Sequence, residues 1–283
     1  MAFQTPQFGI TMFPTDYAIQ PVPLARAVEE RGFDSLFFPE HTHIPASRDT
    51  PFPGGGDLPE MYWHTHDPFV ALGACAAVTQ RIRLGTGICL VIERDPITLA
   101  KEIASLDVIS DGRFVLGVGA GWNREEMENH GTDYRQRWAI LREKILAMKA
   151  IWRDDNAEFH GDHVEFDPLW SWPKPVQAGG PPVWIGANSK WVYDRVAEYG
   201  DGWMPIGGRD PVQLEAMREA LTARGRRLED MPLALFGAPP DAEVLKAKID
   251  EGFDHLVFMV MPESEDKVLH ALDRLSALRD QLR

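Results

Sequence analysis

Short, mainly apolar runs alternate with longer amphipathic stretches along almost the whole chain. The runs at 8–14, 35–41, 82–91, 113–121, 181–188, 202–208, 231–239 and 255–262 are apolar without alternation. That is the pattern of strands covered on both faces, as in a parallel sheet under helices. The stretches between them have helical spacing. Leu99, Ile103 and Leu106 share one face of 95–110, and Leu141, Ile145, Met148 and Trp152 share one on a long helix after the fourth strand. Val268, Leu272 and Leu275 do the same in a last helix from Ser264. Helix starts recur as Asp67-Pro68, Asp95-Pro96 and Asp210-Pro211, with Asp as cap and Pro at the first helical position. Eight strands, each followed by a helix, predict an α/β fold: a (β/α)8 TIM barrel, as one domain over 1–283. An open doubly wound sheet is the alternative, but it has no need of eight units.

Two segments interrupt the alternation. One, 42–66, follows the second strand, is rich in Pro and Gly and carries Tyr62 and Trp63. A loop this long in a compact domain reads as a lid or binding loop. The other, 157–180, precedes the fifth strand and reads as a short hairpin followed by an aromatic, proline-rich connection.

Composition narrows the function. A net charge of −14 over 283 residues argues against nucleic-acid and anionic-membrane partners and leaves a small-molecule substrate. Cys75 and Cys89 lie in apolar segments with no metal-like spacing, which suits reduced core thiols in a cytoplasmic protein. Neither a signal peptide nor a bilayer-spanning run is expected.

In such barrels the chemistry sits at the C-terminal ends of the strands. These ends are Glu40-His41-Thr42-His43, Gly87-Ile88, Gly119-Ala120-Gly121-Trp122 and Gly186-Ala187-Asn188-Ser189. The stretch GRFVLGVGAGWNREEMENHG is not a dinucleotide fingerprint, because Trp122 stands where the third glycine of G-x-G-x-x-G belongs. His41 and His43 form a His-x-His pair like that of metal-dependent barrel hydrolases. Strand ends five and six supply no further ligands, so no metal site is expected. The small residues at strand ends four and five could instead present two helix N-termini to one phosphate. Strand end three could lie against a flat ring. A flavin-type cofactor needs both.

The segments FFPEHTHIP, PGGGDLPE, DPFVALGACAAVT, RIRLGTGI, DPITLAKEIASLDVISDGRFVLGVGAGWNREEMENHG, RQRW, FHGDHVEF, PKPVQ, PPVWIGANS and YGDGW run in one order over residues 8 to about 205. In that order they resemble the luciferase-like monooxygenase superfamily, and within it the actinobacterial oxidoreductases that use the deazaflavin coenzyme F420. The resemblance implies a TIM barrel and a non-prolyl cis peptide at Gly87-Ile88, beside Thr86, against the cofactor ring. It implies ring-edge contacts from Glu40 and His41. Phosphate-side contacts fall on Gly119, Ala120, Gly121 and Trp122 with Gly186, Ala187 and Asn188. His41 is then the acid/base, since an unperturbed imidazole titrates near neutrality, and Glu40 orients it or binds the ring. Two departures stand out from relatives of the glucose-6-phosphate type. Glu40 replaces an Asp, and Trp122 replaces a Glu. With Phe13, His43 and Trp63, Trp122 would line a pocket for a hydrophobic, aromatic or terpenoid-like substrate. FMN, in a monooxygenase, is the alternative cofactor, and a homodimer is the implied assembly.

Overall fold

The eight apolar runs pair side by side, all in parallel. In a computed structural model, which describes residues 5–207 and 213–283, the order is β8-β7-β4-β3-β2-β1-β10-β9. The strands are β1 (Gln7–Thr11), β2 (Ser35–Phe38), β3 (Arg83–Thr86), β4 (Phe114–Val118), β7 (Val183–Ile185), β8 (Gly202–Trp203), β9 (Ala234–Phe236) and β10 (His255–Met259). The two ends meet through bridges Trp203–Leu233 and Ile206–Phe236, and the Phe236 N–H donates to Pro205 O at 2.9 Å. The ring therefore closes into the expected (β/α)8 barrel. β5 (Ala157–His160) and β6 (Glu165–Leu169) form the antiparallel hairpin of the second insert.

Residues two apart on a strand face the same way. The inward set packs Phe37, Val115, Trp184, Met204, Ala234, Phe236 and Val257 into one cluster, with Ile88 at its edge. The ring of Phe37 fits because its neighbour on β3 is Gly85. A Cβ there would stand 2.4 Å from the ring. Phe37 and Trp184 are fully buried, and truncating either should cost about 3–5 kcal/mol.

Helices cover the outer face: α1 (Pro21–Glu30), α2 (Pro68–Ala76), α3 (Pro96–Ile109), α4 (Arg124–Asn129), α5 (Arg137–Arg153), α6 (Val192–Tyr199), α7 (Leu214–Thr222), α8 (Ala242–Glu251) and α9 (Glu265–Asp280). The anticipated stripes are the buried ones, Leu99, Ile103 and Leu106 on α3 and Leu141, Ile145 and Met148 on α5. Asp67 accepts from the amides of Phe69 and Val70, and Asp95 from that of Thr98. Each such cap is worth about 1 kcal/mol. The Asp210-Pro211 start and Gly208 lie outside the described residues.

Two boundaries differ from the sequence pattern. β8 stops at Trp203, because Pro205 has no N–H with which to continue the ladder. The single long helix after the fourth strand is two, α4 and α5, separated at Gly131 with φ +78°.

Candidate active site

His41 stands just beyond β2, and its partner comes from 85 residues downstream. His41 Nδ1 lies 2.7 Å from Glu126 Oε2 on α4. The other oxygen of Glu126 accepts the Thr42 amide at 3.2 Å. Both side chains are buried, at 7% and 1% exposure. A carboxylate can only accept, so the contact places the proton on Nδ1 and leaves Nε2 as the reactive nitrogen. Asn123 and Glu126 have the spacing of a capping box. Asn123 Oδ1 does accept the Glu126 amide at 3.2 Å. The Glu126 carboxylate, however, is directed to His41 and Thr42 instead of back to the cap.

A cluster of four aromatic rings adjoins His41. His41 lies 5.2 Å from Tyr62 and 5.8 Å from Trp122, centroid to centroid. Phe52 meets both Tyr62 and Trp122, and Phe13 packs on Tyr62 at 4.7 Å. The 42–66 insert supplies Phe52 and Tyr62 and is tied across the barrel mouth. The Thr50 amide donates to Glu125 at 3.2 Å, and the His66 amide donates to Pro14 O at 2.7 Å. Phe13 and Trp122 are thus joined through Tyr62. Two expected pocket residues are not part of this cluster. Trp63 is half exposed and packs beside His64, because the tight turn Glu60–Tyr62 sends Tyr62 inward in its place. His43 is held by Thr42 Oγ1 and Asn129, next to His130.

At the end of β3 the Gly87–Ile88 peptide bond is cis. The Ile88 side chain reaches the next two strand ends, where a Cβ on Gly119 would stand 3.0 Å from it and one on Gly186 would stand 2.5 Å from it. Glycine at these two positions therefore lets Ile88 sit between the turns. Beyond it, the amides of Ala120, Gly121, Trp122, Ala187 and Asn188 meet no acceptor among the described residues. Those two turns provide the donors that a phosphate needs. The contribution is from the backbone. The Asn188 side chain is already engaged, bonding Ile206 N and O at 2.9 and 3.0 Å. Thr86 Oγ1 is likewise spent on Gly117 O at 2.7 Å.

Glu40 does not orient His41. Its carboxylate accepts the Leu90 amide at 2.6 Å and Arg94 Nε at 2.7 Å. Arg94 also pairs with Asp67 and Glu102. Glu40 is 3% exposed, so this is a buried ion-pair network bracing the segment after the cis bond. Each Glu40 oxygen thus already accepts one hydrogen bond within this network, and the carboxylate paired with His41 is Glu126. Glu126 takes over the orienting role.

Among the described residues, no three His, Cys, Asp or Glu side chains converge to hold a metal ion, and no helix is long and apolar enough to cross a membrane. A cavity of about 990 Å³ lies elsewhere, beside α9 and the end of β10, and carries none of the expected site residues.

The family model described as luciferase-like monooxygenase matches residues 14–274. An uncharacterized protein of Mycobacterium tuberculosis is 39% identical over 95% of this chain and 97% of its own length. A protein of Nakamurella multipartita named F420-dependent glucose-6-phosphate dehydrogenase is 30% identical over 74% of this chain and 59% of its own length. Among solved structures, an F420-dependent secondary alcohol dehydrogenase in complex with an F420-acetone adduct superposes with a TM-score of 0.77. It is 18% identical and covers 99% of this chain and 100% of its own. At that identity it speaks for the fold.

Proposed function

The chain belongs to the luciferase-like monooxygenase family, and from that premise we propose that it is an oxidoreductase using the deazaflavin coenzyme F420. Its substrate is a small hydrophobic molecule carrying a carbonyl or the corresponding alcohol. One observation carries the reading. The His41–Glu126 pair, the Ile88 ledge and two turns of unpaired amides all lie at the C-terminal end of one barrel. Relatives named as F420-dependent dehydrogenases favour the deazaflavin over FMN.

The residues suit the group. The turns 120–122 and 187–188 would hold its phosphate through backbone N–H, and Ile88 would lie against its ring. When bound, the deazaflavin supplies or accepts the hydride. The remaining work falls to the chain. His41 Nε2 gives a proton to the substrate oxygen in one direction and takes it back in the other. Glu126 stabilises the imidazolium that carries this proton, the starting state for reduction and the end state of oxidation. Tyr62, Phe52, Trp122 and Phe13 exclude water and bind apolar substrate surface. Trp122 offers no charged partner for a sugar phosphate.

The test is to follow the deazaflavin absorbance with the reduced cofactor and a panel of apolar ketones, and with the oxidised cofactor and their alcohols. Turnover that is lost in His41→Ala while cofactor affinity is kept supports the proposal. Turnover that His41→Ala leaves unchanged removes His41 from the mechanism.

A further inference from the structure

Glu93 is a buried acid that the proposed chemistry does not use. It ends the tight turn Val91–Glu93 that follows the cis bond. The turn is held from outside, with Thr132 Oγ1 donating to Ile92 O at 2.6 Å and Lys144 Nζ donating to Ile92 O and Arg94 O at 3.0 and 2.7 Å. The Glu93 side chain is 1% exposed, and neither carboxyl oxygen meets a hydrogen-bond partner among the described residues. The charged groups facing it are Glu126 from α4, Glu40 from the end of β2, the adjacent Arg94 and Lys144 from α5. His130, at the end of α4, places Nε2 3.9 Å from Oε2. Arg94 is engaged by Glu40, Asp67 and Glu102, and Lys144 by backbone carbonyls. A carboxylate here would be buried beside two others with no bonded counter-ion. Burial and then repulsion from Glu126 and Glu40 push the Glu93 pKa up to about 9.

The same corner leads to water. His130 is 29% exposed, and its Nε2 lies 2.7 Å from Thr42 Oγ1. The Thr42 amide is the group that donates to Glu126. We propose that Glu93 is a positioning residue of this site: a carboxylic acid held neutral in the wall near Glu126, so that it adds no second negative charge next to the carboxylate that holds His41, and exchanging its proton with water through His130. In the exchange the Glu93 O–H bond breaks as an N–H bond forms on His130, that N–H bond breaks as its proton passes to water, and a proton from water returns by the same two transfers, so that Glu93 ends neutral. Ionised, Glu93 would add its charge to that of Glu126, hold a protonated imidazole in place and stop His41 from cycling its proton.

The proposal rests on His41 as the acid/base, but its test needs neither cofactor nor substrate. Infrared spectra of the wild type at pH 7 should show the carbonyl stretch of a protonated carboxylic acid that disappears in Glu93→Gln and titrates away near pH 9. Below pH 8, Glu93→Gln should leave the ring titration of His41, read by NMR, where it is in the wild type. His130→Gln should slow deuterium exchange of the acid band by about tenfold or more. Absence of the acid band at pH 7 overturns the proposal, as does a His41 titration displaced in Glu93→Gln. Unchanged exchange in His130→Gln overturns the route to water. Because the wild-type titration stands alone, a variant that folds poorly does not block the test. Lack of F420 turnover would count against the cofactor reading and leave these results in force.

Discussion

Replacing Glu93 by Gln also has a thermodynamic consequence whose sign and size follow from the structure. The folded acid titrates near 9 and its ordinary value is 4.5. Between these values the folded chain holds a proton that the unfolded chain releases. The contribution of Glu93 to stability is therefore complete below about pH 4.5 and is lost progressively as pH rises through about 9. One proton corresponds to about 1.4 kcal/mol per pH unit, hence roughly 2.7 kcal/mol between pH 6 and pH 8. At about 2 °C per kcal/mol for a chain of this size, that is a change of about 5 °C in Tm. Glutamine has the same shape and no proton to lose. Melting curves of both proteins from pH 5 to pH 10 at constant ionic strength should therefore diverge, with the wild type falling relative to Glu93→Gln by about 5 °C from pH 6 to pH 8. The remaining titrating groups are common to both and cancel in the difference. Parallel curves would refute the reasoning, because they would mean that Glu93 is ionised throughout.

Other expectations concern the neighbouring groups. Glu126→Gln should lower kcat by roughly 10²–10⁴ with little change in KM, since an amide beside Nδ1 can present its NH2 and disturb the imidazole tautomer. Steady-state kinetics with F420 checks this, and an unchanged kcat would remove the pair from the chemistry. Glu40→Ala leaves Arg94 with a missing partner and the Leu90 amide unbonded, so thermal unfolding should show a loss of about 3–5 kcal/mol. A loss below about 1 kcal/mol would mean that the network is not structural. Burial, then the Arg83 charge, pushes His255 down to about 3, so the folded chain resists a proton that the unfolded chain binds. Stability should fall by about 1.4 kcal/mol per pH unit from this group as pH drops from about 6.5 toward 3. His255→Gln should flatten that limb in acid melts, and an equally steep limb in the variant would contradict the assignment. Trp122→Ala should reduce kcat/KM for large apolar substrates about tenfold or more through lost contact. Equal rates in both proteins would place the substrate elsewhere.

The barrel was legible because its cause is local. Eight uninterrupted apolar runs can only be strands buried on both faces, and Asp67-Pro68 and Asp95-Pro96 carry their own helix starts. The cis bond at Gly87–Ile88 came with the family resemblance, through a short stretch of contiguous sequence. In the two glycine turns it pointed to, Gly119 and Gly186 spend their amides on Cys89 O and Val118 O, and it is the residues after them whose N–H groups meet no acceptor among the described residues. What was illegible depends on contacts between distant positions. Nothing near His41 points to Glu126, and the cap-like spacing from Asn123 offers a sufficient local reason for that glutamate. Tyr62 and Trp63 are adjacent aromatic residues, and only the turn at Glu60–Tyr62 decides which one enters the site. Glu40 sits directly before His41, which suggests partnership. In space its carboxylate is taken by Arg94 and the Leu90 amide. Glu93 gives no signal in the short stretch between the third apolar run and the helix that starts at Asp95.

The measurement that tests the account most directly is a fluorescence titration of the purified protein with coenzyme F420 and, side by side, with FMN. The account predicts saturable, tight binding of the deazaflavin and weak or absent binding of FMN. Tight binding of FMN alone would contradict it and move the chemistry to oxygen-dependent monooxygenation on the same barrel. Binding of neither would contradict the assignment of the 120–122 and 187–188 amides to a cofactor phosphate.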